Sequence, residues 1–276
     1  MKSFTIALIQ MRVEEDRDAN LARAAALLEQ AAQRGAALAV LPEMFTCPYE
    51  LGRFPAYAEP LADGPCGRLL SASAARLRLH VAGGSFPERR DGKIFNTATL
   101  WGPAGELLLV HRKVHLFDVN IPGGIAFQES ACLSAGDEIA ATHTELGVLG
   151  LAICYDLRFP EVFRALAIGG AEIVILPGAF NTTTGPAHWE PLLRARAIEN
   201  TCYVAACSPA PTATGSYPCW GHSLLADPYG EIIVDAGREE QVVTAAIDAE
   251  RLAQVRRALH VLAQRRPDAY RRAAGG

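Results

Sequence analysis

The chain has 276 residues, of which 50% are hydrophobic and 20% charged, and 26 basic against 30 acidic side chains give a formal net charge of −4. This length and composition provide a large apolar core, which excludes a disordered or collagen-like protein. The slightly acidic balance has no basic stripe to neutralise phosphates, so nucleic acid is not an expected partner. No apolar run reaches the ~18 residues of a membrane span, so no membrane association is expected.

Cysteine usage indicates a reducing compartment. The seven cysteines are odd in number and include no Cys-x-x-Cys pair. A disulfide framework is therefore not expected, and free thiols in the cytoplasm are the prediction.

Short apolar runs alternate with amphipathic segments along the first half of the chain. Phe4 to Ile9 predicts a buried first strand, and Asp16 to Arg34 predicts a helix that stops at Gly35. Further strands are predicted at residues 36–41, 79–82, 97–101, 106–110 and 148–153.

The second half continues the same pattern. A helix is predicted from Pro160 to Gly169, another over about 189–200 and a last one from Asp248, with strands at 173–176, 203–207, 223–226, 232–234 and 242–247. Near-continuous apolar strands mixed with amphipathic helices predict an α/β layered fold, and hairpin-like pairs predict mixed sheets. No linker interrupts the pattern, so residues 1–276 are predicted to form a single domain. The seven arginines between Arg251 and Arg272 indicate a solvated helix face and tail, or a subunit contact.

Several common catalytic devices are absent from the sequence. There is no Gly-x-Gly-x-x-Gly motif, Walker A loop, Gly-x-Ser-x-Gly elbow or His-Glu-x-x-His motif. His111 and His115 are four residues apart, but they flank a predicted strand end and do not share a helix face. Neither a metal nor an organic cofactor is expected.

Three reactive residues follow apolar strands directly. These are Glu43, Lys113 and Cys154, and in open α/β sheets ligands bind in the crevice beyond the strand ends. Taken singly, Glu43 is also explained as a surface carboxylate and Cys154 as a small buried hydrophobic side chain. A helix start predicted at Pro160 would place Cys154 near a positive N-terminus that lowers the pKa of a thiol.

Three segments resemble the signature segments of the nitrilase superfamily of carbon-nitrogen hydrolases, and they occur in the same order: Leu41-Pro42-Glu43, 111–116 and 150–161. Four further segments resemble the ω-amidase branch of that superfamily: 117–123, 127–130, 178–189 and 220–223. The sequence departs from the branch pattern at Gly123 to Ala126 and in the loop from Ser208 to Cys219.

The resemblance implies a four-layer α-β-β-α sandwich with two mixed sheets, assembled as a homodimer or higher homo-oligomer. It implies a triad of Glu43, Lys113 and Cys154 with Glu129 as an accessory carboxylate. The branch hydrolyses the terminal amide of 2-oxoglutaramate and 2-oxosuccinamate, so a small-molecule amide is the expected substrate. In the expected reaction Cys154 forms a thioester, Glu43 moves the protons, and Lys113 and the Tyr155 backbone N–H bind the oxyanion.

The free carboxylate of such a substrate needs hydrogen-bond donors. The hypothesis is that Tyr49 and the turn from Asn181 to Thr183 bind this carboxylate while Phe180 packs on the carbon chain. Two alternatives remain open: an amidase for deaminated glutathione, which would need a roomier pocket, and a catalytically silent binding protein.

Overall fold

The computed structural model describes residues 1–120, 126–212 and 217–273. The first sheet has six strands in the order β14-β1-β2-β3-β4-β5, and the second has six in the order β13-β12-β11-β10-β9-β8. The strands of the first sheet are β1 (Phe4–Gln10), β2 (Leu38–Val40), β3 (His80–Arg90), β4 (Lys93–Trp101), β5 (Leu107–Arg112) and β14 (Gln241–Ile247). Those of the second sheet are β8 (Ala141–Thr144), β9 (Gly147–Leu151), β10 (Ile173–Pro177), β11 (Tyr203–Cys207), β12 (Leu224–Ala226) and β13 (Ile232–Asp235).

Both sheets are mixed. In the first, β1, β2 and β3 run parallel and the remaining neighbours pair antiparallel. In the second, β9, β10 and β11 are parallel and the outer strands are antiparallel. The short strands β6 (Asp118–Asn120) and β7 (Ala126–Gln128) pair antiparallel in a separate two-stranded sheet.

Strand alternation in β1 shows how the layers form. Ile6 and Leu8 point into the core between the two sheets, whereas Ala7 and Ile9 point to the opposite face. That opposite face packs on helices α1 (Arg17–Gln33) and α3 (Pro65–Leu77).

Helices α4 (Pro160–Ile168) and α5 (Gly185–Asn200) cover the outer face of the second sheet through Phe163, Leu166, Trp189 and Leu193. The remaining helices are α2 (Phe54–Tyr57), α6 (Ala249–Ala258) and α7 (Pro267–Ala273). The four-layer α-β-β-α sandwich with two mixed sheets is confirmed.

The predicted helix boundaries agree well at α1 and α6. Asp16 caps α1 by accepting hydrogen bonds from the N–H groups of Asp18 and Ala19. Asp248 caps α6 in the same way, through the N–H of Glu250. Helix α5 begins at residue 185, four residues before the predicted start, because Pro186 is well suited to the first turn of a helix.

Six α-helices and β-strands of the described residues were not predicted from the sequence: α2, α3, α7, β6, β7 and β8. Helix α3 buries Cys66, Leu70, Ser73 and Ala74 at helical spacing, so a periodic signal was present in the sequence although the helix was not predicted. Strand β8 is an edge strand of sequence Ala-Thr-His-Thr whose side chains are half-buried or exposed.

Some arginines of the arginine-rich end, 251–272, form contacts with other parts of the same chain. Arg251 pairs with Asp227, and Arg256 donates to the carbonyls of Thr201 and Ala171. Among the helices of the described residues, none is both long and apolar enough to cross a membrane. The departures from the branch pattern lie partly outside the described residues, at 123–125 and 213–216.

Candidate active site

Glu43 lies in a tight turn beyond β2 that is held by a bulge in β3. The N–H of Met44 donates to the Ser85 hydroxyl at 3.1 Å, and Met44 itself has a left-handed backbone with φ of 50°. Gly84 sits in the bulge with φ of +55°, and a Cβ there would be 2.2 Å from the Pro42 carbonyl oxygen. Only glycine satisfies both conditions, so the turn that aims Glu43 inward depends on it.

Lys113 follows β5 directly and is completely buried. Its backbone N–H donates to the Asn96 carbonyl at 2.9 Å, which continues the pairing of β5 with β4. Its Nζ lies 3.1 Å from Oε1 of Glu43 and 2.9 Å from Oε2 of Glu129. Burial alone would lower the pKa of Lys113, but Glu129 and Glu43 outweigh it and raise that pKa. The side chain is therefore an ammonium ion between two carboxyl groups.

Glu43 receives hydrogen bonds on both oxygens. The Asn96 side chain donates to Oε1 at 2.8 Å, the N–H of Ala179 donates to Oε2 at 2.7 Å, and the Cys154 thiol is a further hydrogen-bond partner. Burial raises the pKa of Glu43, Lys113 opposes that rise, and the charge of Glu129 adds to it. The carboxyl group is thus a stronger base than an exposed glutamate and lies next to a thiol proton.

Tyr49 belongs to the carboxylate cluster. Its hydroxyl lies 2.6 Å from Oε1 of Glu129 and 3.3 Å from Oε1 of Glu43, and Glu129 also accepts from the N–H of Phe117 at 2.7 Å. Burial, followed by the charges of Glu129 and Glu43, raises the pKa of Tyr49 well above its usual range. The hydroxyl is therefore occupied as a donor to carboxylates, which would repel a substrate anion. This geometry disfavours the hypothesis that Tyr49 binds the substrate carboxylate.

Cys154 begins a 3-10 turn, Cys154–Arg158, three residues after the end of β9 at Leu151. Its φ of 42° is left-handed, and its Cα is 3.3 Å from where a Cβ on Gly178 would lie, so the two segments touch closely. Helix α4 starts only at residue 160, so the cysteine does not sit at the N-terminus of that helix.

The thiol is more basic than the sequence suggested. Burial first, and then the charge of Glu43, raise the pKa of Cys154 well above its usual value, although Lys113 lowers it. The expected lowering by a helix N-terminus is therefore wrong. The thiolate must form as its proton moves to Glu43.

The other predicted substrate residues lie on the neighbouring segment. The Arg158 guanidinium lies over the Phe180 ring at 5.0 Å and over the Tyr155 ring at 5.6 Å. Oδ1 of Asn181 accepts the N–H of Thr183 at 3.0 Å, and the Thr183 side chain is exposed. This N–H is already bonded, so the turn from Asn181 to Thr183 does not offer it to a ligand.

A small, partly open cavity of about 40 Å³ beside Glu43 is lined by Tyr49, Pro209, Tyr217 and Cys219. Tyr217 comes from the loop at 208–219 and packs against Tyr49, with ring centroids 4.6 Å apart and the ring planes tilted by 38°. Its hydroxyl donates to the Ala179 carbonyl at 2.8 Å. Sequence reasoning missed Tyr217 and Asn96. A polar Asn96 just before an apolar strand was the available signal for the second, whereas nothing local marks Tyr217.

The histidines near the site do not form a metal centre. His111 and His115 both bind the carboxylate of Asp156. Within the parts of the chain that the structure describes, no group of three or more His, Cys, Asp or Glu side chains is arranged to hold a metal ion.

Comparison with known proteins gives the family. The carbon-nitrogen hydrolase family matches residues 5–257. The chain is 46% identical over 270 residues to omega-amidase NIT2 of Mus musculus, covering 98% of both chains, and 44% identical to the Homo sapiens protein over the same length and coverage.

A solved structure agrees with these sequence matches. Saccharomyces cerevisiae Nit3, described as a member of branch 10 of the nitrilase superfamily, superposes with a TM-score of 0.88 at 38% identity, covering 96% of this chain and 97% of that one. The resemblance seen in the sequence motifs is confirmed, and the chain belongs to the carbon-nitrogen hydrolase family of enzymes.

Proposed function

We propose that this protein is an ω-amidase, which hydrolyses the terminal amide of a small 2-oxo dicarboxylic acid monoamide to the dicarboxylate and ammonia. The observation that carries the proposal is the buried network of Glu43, Lys113 and Glu129 in hydrogen-bond contact with the Cys154 thiol. The likeness of the chain to omega-amidases over nearly its whole length supports the choice of substrate class.

In the first half-reaction Glu43 takes the thiol proton as the Cys154 sulfur attacks the amide carbonyl carbon. Lys113 stays an ammonium ion because two carboxyl groups hold it, so it stabilises the oxyanion that develops. The backbone N–H of Tyr155 is the second proposed donor, since it follows the nucleophile directly. Protonated Glu43 then gives its proton to the amide nitrogen, the carbon–nitrogen bond breaks, and ammonia leaves.

In the second half-reaction water opens the Cys154 thioester. Glu43, now ionised again, accepts one proton from this water while the oxygen attacks the acyl carbon. The carbon–sulfur bond breaks, the proton returns to the sulfur, and the product leaves as a carboxylic acid that ionises in water. Each proton therefore passes through Glu43, whose raised pKa suits both directions of transfer.

An anionic substrate needs a positive charge that the site has not already neutralised. Lys113 is shared by Glu43 and Glu129. Arg158 rests on the rings of Tyr155 and Phe180, and its Nη1 lies 3.2 Å from Nδ1 of His188. Its guanidinium pairs with no carboxylate of the described residues. We therefore assign the distal carboxylate of the substrate to Arg158 and no longer to Tyr49 or the 181–183 turn.

The test is an ammonia-release assay run side by side on 2-oxoglutaramate, deaminated glutathione and an N-carbamoyl amino acid. The proposal expects the highest kcat/KM on 2-oxoglutaramate. A preference for deaminated glutathione would identify the neighbouring amidase activity instead. No ammonia from any of the three amides, with a folded protein, would favour the binding-protein alternative.

A further inference from the structure

Residues 111–115, here called the lysine segment, carry a histidine on each side of Lys113. Both histidines contact the carboxylate of Asp156. Nε2 of His111 lies 2.9 Å from Oδ2 of Asp156, and Nδ1 of His115 lies 2.9 Å from Oδ1. Strand β5 ends at Arg112, and a bend at residues 114 and 115 brings His115 to the same carboxylate as His111. Asp156 therefore holds the segment at two points, one on each side of the lysine.

The same carboxylate also closes the turn that carries Cys154. Oδ2 of Asp156 accepts the backbone N–H of Ile153 at 3.0 Å, and Oδ1 accepts the backbone N–H of His115 at 3.0 Å. Asp156 is completely buried. Burial alone would raise the pKa of Asp156, but the hydrogen bonds from His111 and His115 outweigh it and hold that pKa well below its usual range. The Asp156 carboxylate therefore has four nitrogen partners, two on each oxygen, and its hydrogen-bonding capacity is filled.

These contacts join the two halves of the sandwich. Lys113 extends β5 at the edge of the first sheet, whereas Cys154 follows β9 in the second sheet. Cys154 also has a left-handed backbone, with φ of 42°. A non-glycine residue in that region is strained and stays there only where its surroundings hold it. Hydrogen bonds link Ile153 and Asp156 on either side of it: Asp156 N–H donates to the Ile153 carbonyl at 2.9 Å, and the Asp156 carboxylate accepts in return.

We infer that Asp156 is a positioning residue that fixes the Cys154 sulfur against Lys113 and Glu43 by clamping the lysine segment to the cysteine turn. It touches neither the substrate nor the thiol, so it acts through the two histidines and Ile153. The inference rests on the proposed amide hydrolysis for its effect on turnover, but its effect on thiol reactivity does not depend on any substrate.

The test replaces Asp156 by Asn and measures two quantities. One is kcat and KM for ammonia release from 2-oxoglutaramate. The other is the alkylation rate of Cys154 by iodoacetamide, followed by mass and peptide mapping. Asparagine keeps the shape but turns one acceptor into a donor facing N–H groups. We expect kcat to fall about 100-fold with KM within about threefold, as for a misplaced reacting group. The alkylation rate should fall about tenfold, because the thiol loses its aligned base.

Asp227→Asn is the matched control. Asp227 is a buried carboxylate that also accepts two backbone N–H groups, from Tyr229 and Glu231, and pairs with Arg251. Its loss should lower the melting temperature and leave both the kcat and the alkylation rate near those of the unchanged protein. If Asp156→Asn behaves like this control, Asp156 is only a structural residue and the inference is wrong.

A milder variant decides the case if Asp156→Asn does not fold. His115 is partly exposed and stacks on Phe159 with ring centroids 3.6 Å apart. His115→Phe keeps that stacking and removes one side-chain bond to Asp156, so kcat and the alkylation rate should both fall about fivefold, a fraction of the loss expected for a misplaced group. Unchanged values would overturn the inference. If the unchanged protein releases no ammonia from any amide, the proposed function fails while the alkylation comparison still decides the role of Asp156.

Discussion

Replacement of Glu129 by Gln tests how the second carboxylate sets the basicity of Glu43. The change keeps the shape of the side chain, and its amide oxygen can still accept the N–H of Phe117. It removes one negative charge from a cluster in which that charge raises the pKa of Glu43. Lys113 then pairs with Glu43 alone, and the positive charge of Lys113 also lowers the pKa of Glu43. Both effects lower the pKa of Glu43.

The size of the change in the pKa of Glu43 can be calculated from the distance between the two carboxylates, which both contact the Tyr49 hydroxyl. That hydroxyl lies 3.3 Å from Oε1 of Glu43 and 2.6 Å from Oε1 of Glu129. The two carboxylate oxygens are therefore within roughly 6 Å of each other, and at an effective dielectric constant of about 20 two unit charges at that distance repel by about 3 kcal/mol. This corresponds to about 2 pKa units.

The assay is the pH dependence of kcat/KM for ammonia release. Glu43 must be ionised to take the thiol proton, so the acidic limb of the profile follows its pKa in the free enzyme. In Glu129→Gln this limb should move to lower pH by about 2 units, and kcat should fall roughly tenfold because a weaker base gives a smaller driving force.

Glu59→Gln is the control for this measurement. Glu59 is also a buried carboxyl group whose pKa is raised by burial, but it accepts the N–H of Cys66 and lies outside the cluster. Its replacement should leave the acidic limb in place. An acidic limb that does not move in Glu129→Gln, or that moves to higher pH, would refute the electrostatic argument.

Three further outcomes are expected. Cys154→Ser should abolish turnover in a folded protein, and intact-mass analysis of a trapped acyl-enzyme should find the adduct on Cys154; an adduct on another cysteine would contradict the mechanism. Lys113→Arg should lose at least about 100-fold in kcat, since a planar guanidinium does not fit between two carboxyl groups and an oxyanion; near-normal turnover would show that charge alone suffices. Tyr49→Phe should lower kcat equally for charged and uncharged amides, whereas Arg158→Gln should raise KM for the charged amide alone. The reverse pattern would restore Tyr49 as the anion-binding group.

Most of the fold could be predicted because the strands are short, apolar and separated by clear stop signals. The runs at 4–9, 173–176 and 203–207 lie within β1, β10 and β11. Helix α3 was missed although Cys66, Leu70, Ser73 and Ala74 recur at helical spacing, so its sequence did carry a helix signal. Strand β8 was missed because an edge strand is stabilised by its neighbour in the sheet and needs little apolar sequence of its own.

The sequence by itself determined which reactive groups stand at strand ends. A strand, its alternation and the turn that follows it are local properties, so Glu43, Lys113 and Cys154 could each be placed just beyond a strand without coordinates. Their proximity is a different matter. Glu43 meets Lys113 across 70 residues of sequence because β2 and β5 belong to the same sheet, and it meets the N–H of Ala179 across 136 residues because the two sheets pack together.

Only the tertiary structure decided how these groups behave. A pKa depends on burial and on charges nearby in space, and both come from residues far apart in the chain. For that reason the sequence suggested a thiol of lowered pKa at Cys154, whereas its buried site beside Glu43 raises that pKa. The same holds for Tyr49, whose hydroxyl is occupied by Glu129. It holds also for Asp156, whose partners are His111 in β5 of the first sheet and His115 just beyond that strand.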